Sequence, residues 1–288
     1  ASLDIPHAGP DVSASAIVVP GRYFAAGKSG VAPGVAPEFT DFVARDIGYQ
    51  LVGRAGFGTC AWDRCTAAAC MSSAADRSAM VERLVQHVWS AAVMWHPPLY
   101  GLHAAAVVGP DGRATLLVGD SRVGKSSLAT YLSMRCGFRY LTDDLTILDA
   151  RSLLVYGRPW RVELRPGALE ALWDGPPPAG AAHGDKLVLD ARAHVPVAAS
   201  APVSAVMFLR RGDAEHTRLD AVTTLDRLGK PVSMFRGCAA VTDGYGKAFS
   251  DLADRARGFA LGIDHTLGIE HAGRTVIERV GAVDFRLQ

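Results

Sequence analysis

Leu116-Leu117-Val118-Gly119-Asp120-Ser121-Arg122-Val123-Gly124-Lys125-Ser126-Ser127-Leu128 decides how this chain is read. The stretch fits G-x-x-x-x-G-K-[ST], with an apolar strand running in and an amphipathic helix running out, the context in which that pattern has physical meaning. A glycine at each end lets the backbone turn tightly and aim successive N–H groups inward, and the new helix adds the positive end of its dipole. Such a loop cradles an anion. The expected nucleotide-binding residues are therefore Gly119, Asp120, Ser121, Arg122, Val123, Gly124, Lys125, Ser126 and Ser127. Lys125 reaches the β- and γ-phosphates, and the Ser126 hydroxyl takes a place on Mg²⁺. ATP and Mg²⁺ are the expected ligands.

Upstream of the loop, Leu102–Val108 reads as a strand, Gly109-Pro110-Asp111-Gly112 as a turn and Ala114–Val118 as the strand that enters the loop. That makes a β-hairpin. The phosphate-loop strand of ordinary parallel-sheet NTPases is not normally the second arm of one, so the hairpin points to a different branch of phosphate-loop fold. Downstream, Ser126–Cys136 keeps helical spacing with Leu128, Leu132 and Cys136 inward, and Gly137 stops it. Phe138–Leu141 is a short strand delivering Asp143-Asp144. Leu145–Leu148 and Leu153–Tyr156 form a second hairpin. The alternation from Trp160 to Arg165 puts Arg161, Glu163 and Arg165 on one strand face, for which solvent is the ordinary destination.

Farther out the signals weaken. Residues 1–58 read as short strands and turns, with Ala14–Val19 a strand and Phe39–Ile47 either helix or extended. Gly27-Lys28-Ser29 echoes a phosphate loop without its upstream glycine and is an ordinary turn. Cys60–Ser73 is alanine-rich, a loop or weak helix. Asp76 caps a helix carrying Met80, Leu84, Val88 and Trp95, which His96-Pro97-Pro98 stops. Asp174–Asp185 (DGPPPAGAAHGD) is too rich in Pro and Gly for helix or strand and is a flap or a surface loop. Lys186–Asp190 and Ala205–Leu209 read as strands, Gly246–Leu261 as holding a helix and Thr275–Val280 as a late strand. The division expected is an accessory region at 1–95 and a catalytic domain at 96–288.

Composition excludes several classes. With 30 Lys and Arg against 29 Asp and Glu the net charge is +1, no basis for a nucleic-acid surface. No apolar run reaches membrane-spanning length, and no charged-then-apolar signal opens the chain, so a cytoplasmic location is expected. The five cysteines lack C-x₂-C pairs and read as reduced structural thiols. There is no N-K-x-D base-reading motif, no L-S-G-G-Q signature and no long apolar strand ending in Asp-Glu, so GTPases and transporter ATPases fall away.

His103-Ala104-Ala105 on a strand, the hairpin, GDSRVGKSS, its helix, a short strand and Thr142-Asp143-Asp144 together resemble the catalytic core of HPr kinase/phosphorylase. The closer resemblance is to the HPr-kinase-like proteins found with ribosomally made peptides such as lasso peptides, where a relative phosphorylates a peptide hydroxyl. It covers about Leu102 to Arg165. It implies an α/β phosphate-loop fold of the HPr kinase/PEP carboxykinase-like type, a mixed sheet with flanking helices. By the same resemblance Asp143 matches the family's general base and Asp144 helps hold the metal. His103 matches the histidine beside the base, although a lone strand histidine also serves simply as a core residue. Glu163 falls where the family has a metal-associated glutamate, and Arg161, Arg165 and Lys186 are lesser candidates for neutralising the transferred phosphoryl group. Two departures stand out: Arg122 replaces a small residue of the usual G-D-S-G-x-G-K-S loop, and no HPr-binding sequence is present.

The chemistry agrees with that resemblance, because phosphoryl transfer needs positioning and charge neutralisation, plus a carboxylate to accept the hydroxyl's proton. The expected activity is an ATP-dependent kinase acting on a hydroxyl, foremost a serine of a peptide or small protein from a ribosomal peptide pathway. The alternatives are phosphorolysis or hydrolysis of a phosphoserine, a small-molecule hydroxyl kinase, and a non-catalytic nucleotide-dependent binding protein. Homo-oligomerisation stays open.

Overall fold

The computed structural model describes residues 2–4, 15–20, 39–45, 48–53, 56–61, 66–71, 99–143, 145–157, 162–176, 178, 180–183, 185–213, 216–229, 239–264 and 267–280; up to residue 71, and at 181–183, 229 and 239–245, it describes backbone alone. The chain divides into two compact units, 1–97 and 98–288.

In the first unit six strands are described: β1 (Ser2–Asp4), β2 (Ser15–Pro20), β3 (Phe39–Arg45), β4 (Gly48–Gly53), β5 (Gly56–Ala61) and β6 (Thr66–Met71), in the order β1-β2-β6-β5-β4-β3. Within the stretch expected to be helix or extended, Phe39–Arg45 thus resolves to strand. Cys60–Ser73 is a correction: β6 pairs along its whole length with β5 on one side and β2 on the other. Backbone pairing on two edges overrides an alanine run whose own preference is weak. The helix expected after Asp76 and the Gly27-Lys28-Ser29 turn lie outside the described residues.

The second unit is built on a mixed sheet. Its first hairpin joins β7 (Leu99–Val108) to β8 (Ala114–Val118), with Ala104 opposite Val118 and Val108 opposite Ala114. The turn is held by Gly112 N–H donating to the Gly109 carbonyl at 2.9 Å, and Gly112 adopts φ 77°, a conformation that suits glycine. Helix α1 (Lys125–Arg135) leaves the loop after β8, and Gly137 at φ 68° lets Phe138 N–H return to the Leu132 carbonyl. Strands β9 (Arg139–Thr142) and β10 (Leu145–Asp149) both run antiparallel to β7, and β11 (Leu154–Tyr156) pairs with β10. Then come β12 (Val162–Leu164), α2 (Pro166–Leu172), β13 (Ala181–His183) and β14 (Lys186–Leu189), the three strands forming a small antiparallel sheet. Strand β13 corrects the reading of 174–185 as free of regular structure, since pairing with β14 supplies what local composition does not.

The long strand β15 (Ser200–Arg211) is the centre of the sheet. It runs parallel to β8 on one side and to β17 (Arg257–Ile263) on the other, and its first residues pair with β11, so the sheet curls back on itself. Strand β16 (His216–Leu219) closes the far edge. Helices α3 (Ala221–Gly229) and α4 (Ala239–Arg255) cover one face, where Leu228, Phe249 and Leu252 meet Ala104, Leu116 and Val206. Helices α1 and α5 (Gly268–Val280) cover the other, where Leu128, Leu132 and Val276 meet Ala105, Leu117 and Met207. One expectation fails here and a second holds only in part. Thr275–Val280 lies in α5, because Thr275 and Val276 bury one stripe of a helix against this core, and packing outweighs their β propensity. The helix placed within 246–261 ends at Arg255 and the chain re-enters the sheet as β17. Gly258 there suits a close approach, for a Cβ would meet the Thr224 hydroxyl at 2.0 Å.

Candidate functional site

The loop between β8 and α1 is anchored at both ends. A Cβ on Gly119 would stand 2.6 Å from the Leu209 carbonyl oxygen, so glycine lets β8 end tight against β15. In the middle, Val123 is 3% exposed and plugs into the α1-side core. Gly124 takes φ 109° and α1 starts at once, its first hydrogen bond running from Leu128 N–H to the Gly124 carbonyl. Lys125 is 6% exposed and its Nζ donates to the carbonyls of Gly119 (2.7 Å) and Asp120 (3.1 Å). The ammonium therefore closes the loop on itself. Asp120, Ser121 and Arg122 are exposed, and Ser126 and Ser127 half-buried. Arg122 adopts φ 71°, the left-handed region that costs a side-chain-bearing residue about 1 kcal/mol. Its carbonyl accepts a 2.8 Å hydrogen bond from Nη2 of Arg211 at the end of β15.

Asp143 follows directly on the end of β9 and lies outside the strand. Leu145 stands opposite His103 and Thr142 opposite Ala106, so an unbroken ladder would set Asp143 against Ala105 and Asp144 against Ala104. Instead the ladder stops, and two threonines close the gap: Thr142 Oγ1 donates to the Leu145 carbonyl (3.0 Å) and Thr146 Oγ1 to the Ala104 carbonyl (2.9 Å). Buried backbone acceptors are thereby satisfied without regular pairing. Asp143, 6% exposed, accepts from the Glu163 backbone N–H at Oδ2 over 2.9 Å. This ties it to β12, whose Val162 and Leu164 share a core with α1. Asp144 lies outside the described residues.

Glu163 is not on a solvated face. Its side chain is 17% exposed and its Oε2 accepts from Lys186 Nζ at 2.7 Å. Arg165 instead reaches the Asp185 carboxylate, at 2.9 Å, and Arg161 lies outside the described residues. His103 is half-buried on β7. Strand alternation sets it on the face of Ala105 and Val107, which is the α1 side. The loop, His103 and Asp143 thus come from the neighbouring strands β8 and β7 and from the break between β9 and β10. Among the described residues no three His, Cys, Asp or Glu side chains gather in a group that could hold a metal ion. Ser126 and Glu163 offer hard oxygen donors, the type Mg²⁺ takes when a nucleotide's phosphates complete its shell.

Sequence reasoning missed Thr146, which a lone strand threonine does not betray. It also missed Arg211, whose contact spans 89 positions of chain.

No family model matches the chain, and no curated protein matches it. A search of solved structures finds the Hpr(Ser) kinase/phosphatase from Coxiella burnetii, to which this chain is similar with 11% identity and a TM-score of 0.36, over 63% of this chain and 93% of that one. No described helix is long and apolar enough to cross a membrane.

Proposed function

We propose that this protein is an ATP- and Mg²⁺-dependent phosphotransferase that moves the γ-phosphoryl group to a hydroxyl, with a serine of a peptide or small protein as the acceptor. The observation that carries the reading is the juxtaposition of a lysine-closed loop at the start of α1 with a buried carboxylate lifted out of the strand ladder two strands away. Bound Mg²⁺ would neutralise charge on the triphosphate, held by Ser126 and Glu163 with Asp144. Lys125 has two backbone carbonyls to exchange for phosphate oxygens, a stronger charge-assisted pairing. Asp143 accepts the acceptor hydroxyl's proton as the oxygen attacks the γ-phosphorus, the bond from that phosphorus to the β–γ bridging oxygen breaks, and ADP leaves. His103, on the same side of the sheet, supports that proton's departure.

The test is transfer of label from γ-labelled Mg²⁺–ATP in the presence of serine peptides, small hydroxyl compounds or no acceptor. Label on a peptide, lost with Lys125→Ala, supports the proposal. Tight nucleotide binding with no transfer to any acceptor favours a nucleotide-dependent binding protein instead.

A further inference from the structure

Two non-glycine residues among those described hold a positive φ, Arg122 at 71° and Leu153 at 54°. Leu153 has a local reason. It turns the β10–β11 hairpin, donates from its N–H to the Asp149 carbonyl, and buries its side chain to 5% exposure. Arg122 has no such burial, because its side chain is exposed. Whatever holds its backbone must act on the backbone. Two contacts do so: a long turn bond from the Val123 N–H to the Asp120 carbonyl at 3.3 Å, and the shorter bond from Arg211 Nη2 to the Arg122 carbonyl at 2.8 Å.

The position matters because of its neighbours. Residue 122 is left-handed, Val123 is not, and Gly124 is again at positive φ. Alternation of this kind turns successive N–H groups into one concavity, a nest for an anion. Glycine at 122 would adopt the conformation without strain; arginine does not. Arg211 is delivered to this point by register: β15 pairs Phe208 with Val118 at the end of β8, and Arg211 follows three residues on.

We propose that Arg211 is a positioning residue for the phosphate loop, holding the Arg122 peptide in the left-handed conformation and so taking the part that glycine's freedom would otherwise play at position 122. The proposal deepens, and rests on, the reading of Gly119–Ser127 as the triphosphate cradle. It makes no claim on the chemical step, so kcat with saturating nucleotide stays close to unchanged while nucleotide affinity falls.

The experiment is a double-mutant cycle read in two ways, by the Kd for Mg²⁺–ATP and by thermal unfolding without ligand. Arg211→Ala is expected to weaken nucleotide binding about fivefold in the Arg122 background, the worth of one hydrogen bond, and less than about twofold in the Arg122→Gly background. Arg211→Lys, which keeps charge and a donor, should restore part of the loss. The melting temperature should show the same dependence on residue 122. Equal effects of Arg211→Ala in both backgrounds overturn the proposal, as does coupling in melting temperature without coupling in Kd. If Arg211→Ala fails to fold, the Arg122→Gly/Arg211→Ala pair decides: folding and binding regained support the proposal, and failure to regain them overturns it. An unmodified protein that binds no nucleotide sinks the cradle reading and the positioning role with it, whereas nucleotide binding without the predicted coupling sinks only the role of Arg211.

Discussion

The backbone N–H of Glu163 donates to Oδ2 of Asp143 across 2.9 Å, so a residue expected at the metal also fixes the carboxylate expected to act as base. The two are coupled through the main chain of one and the side chain of the other. Substitution at Asp143 therefore separates its two duties. Asparagine keeps an oxygen for the Glu163 N–H, so Asp143→Asn should fold normally and bind nucleotide while losing about 100-fold or more in transfer. Asp143→Ala leaves that donor without its acceptor and should also cost about 1–3 kcal/mol of stability. Binding isotherms, transfer rates and unfolding curves on both variants check this; transfer by Asp143→Asn at the wild-type rate would remove the assignment of the base.

Lys186 holds Oε2 of Glu163 at 2.7 Å, with the lysine 37% and the glutamate 17% exposed at their side chains. A pair this near solvent contributes little to stability, about 0–1 kcal/mol. Its larger effect is expected on metal use. Lys186→Met removes a cation that competes for the carboxylate, so the Mg²⁺ concentration for half-maximal transfer should fall by a few-fold. Glu163→Gln should raise it. A Mg²⁺ titration of both variants settles the direction, and a rise for Lys186→Met would show that the lysine serves the phosphates instead.

Gly273 of α5 faces the ring of Tyr131 on α1, and a Cβ there would stand 2.4 Å from Cε1. In the exposed interior of a helix, Gly→Ala stabilises by about 0.5–1 kcal/mol. Here overpacking of about 1–3 kcal/mol opposes that gain. Gly273→Ala should lower the melting temperature by a few degrees, and calorimetry gives the sign directly.

Burial pushes the Tyr131 phenol up to about 12, with Cys136 and Glu270 adding to the shift and Arg274 opposing it. Burial likewise raises the Cys136 thiol, partly offset by its hydrogen bond with Tyr131. A group whose pKa is raised by folding contributes stability below its unfolded value, and that contribution is lost as the pH climbs to the folded one. For Tyr131 the window runs from about pH 10 to about 12. Tyr131→Phe should lose less stability than the wild type across that window in chemical denaturation, with no such difference at pH 7.

The hairpin, the loop and α1 were legible because each is written in local chemistry: turn residues at 109–112, glycines at 119 and 124, apolar spacing from Leu128 to Cys136. What escaped depends on distant partners. Alanine-rich β6 becomes a strand through β2 and β5, Thr275–Val280 becomes helix through the core under α5, and β17 hides in RGFALGI because Gly258 answers to Thr224. The same holds in the candidate site. The Asp143-Asp144 pair stands out by type and place, and the resemblance alone singles out Asp143 within it, but the exit of Asp143 from the ladder involves Thr146 and β7, and Arg211 enters only when β15 lies beside β8.

That last dependence has a consequence for how the chain comes to be active. Strand β8 ends at residue 118 and its parallel partner β15 begins at 200, itself flanked by β17 at 257–263. Parallel pairings across such separations must close large loops before any contact rewards them, which slows folding. The loop receives its backstop at Leu209 and its brace at Arg211 only from β15. During synthesis, then, the loop is made long before the strand that shapes it, and on the proposed reading nucleotide would find its cradle only in chains that have already closed their central sheet.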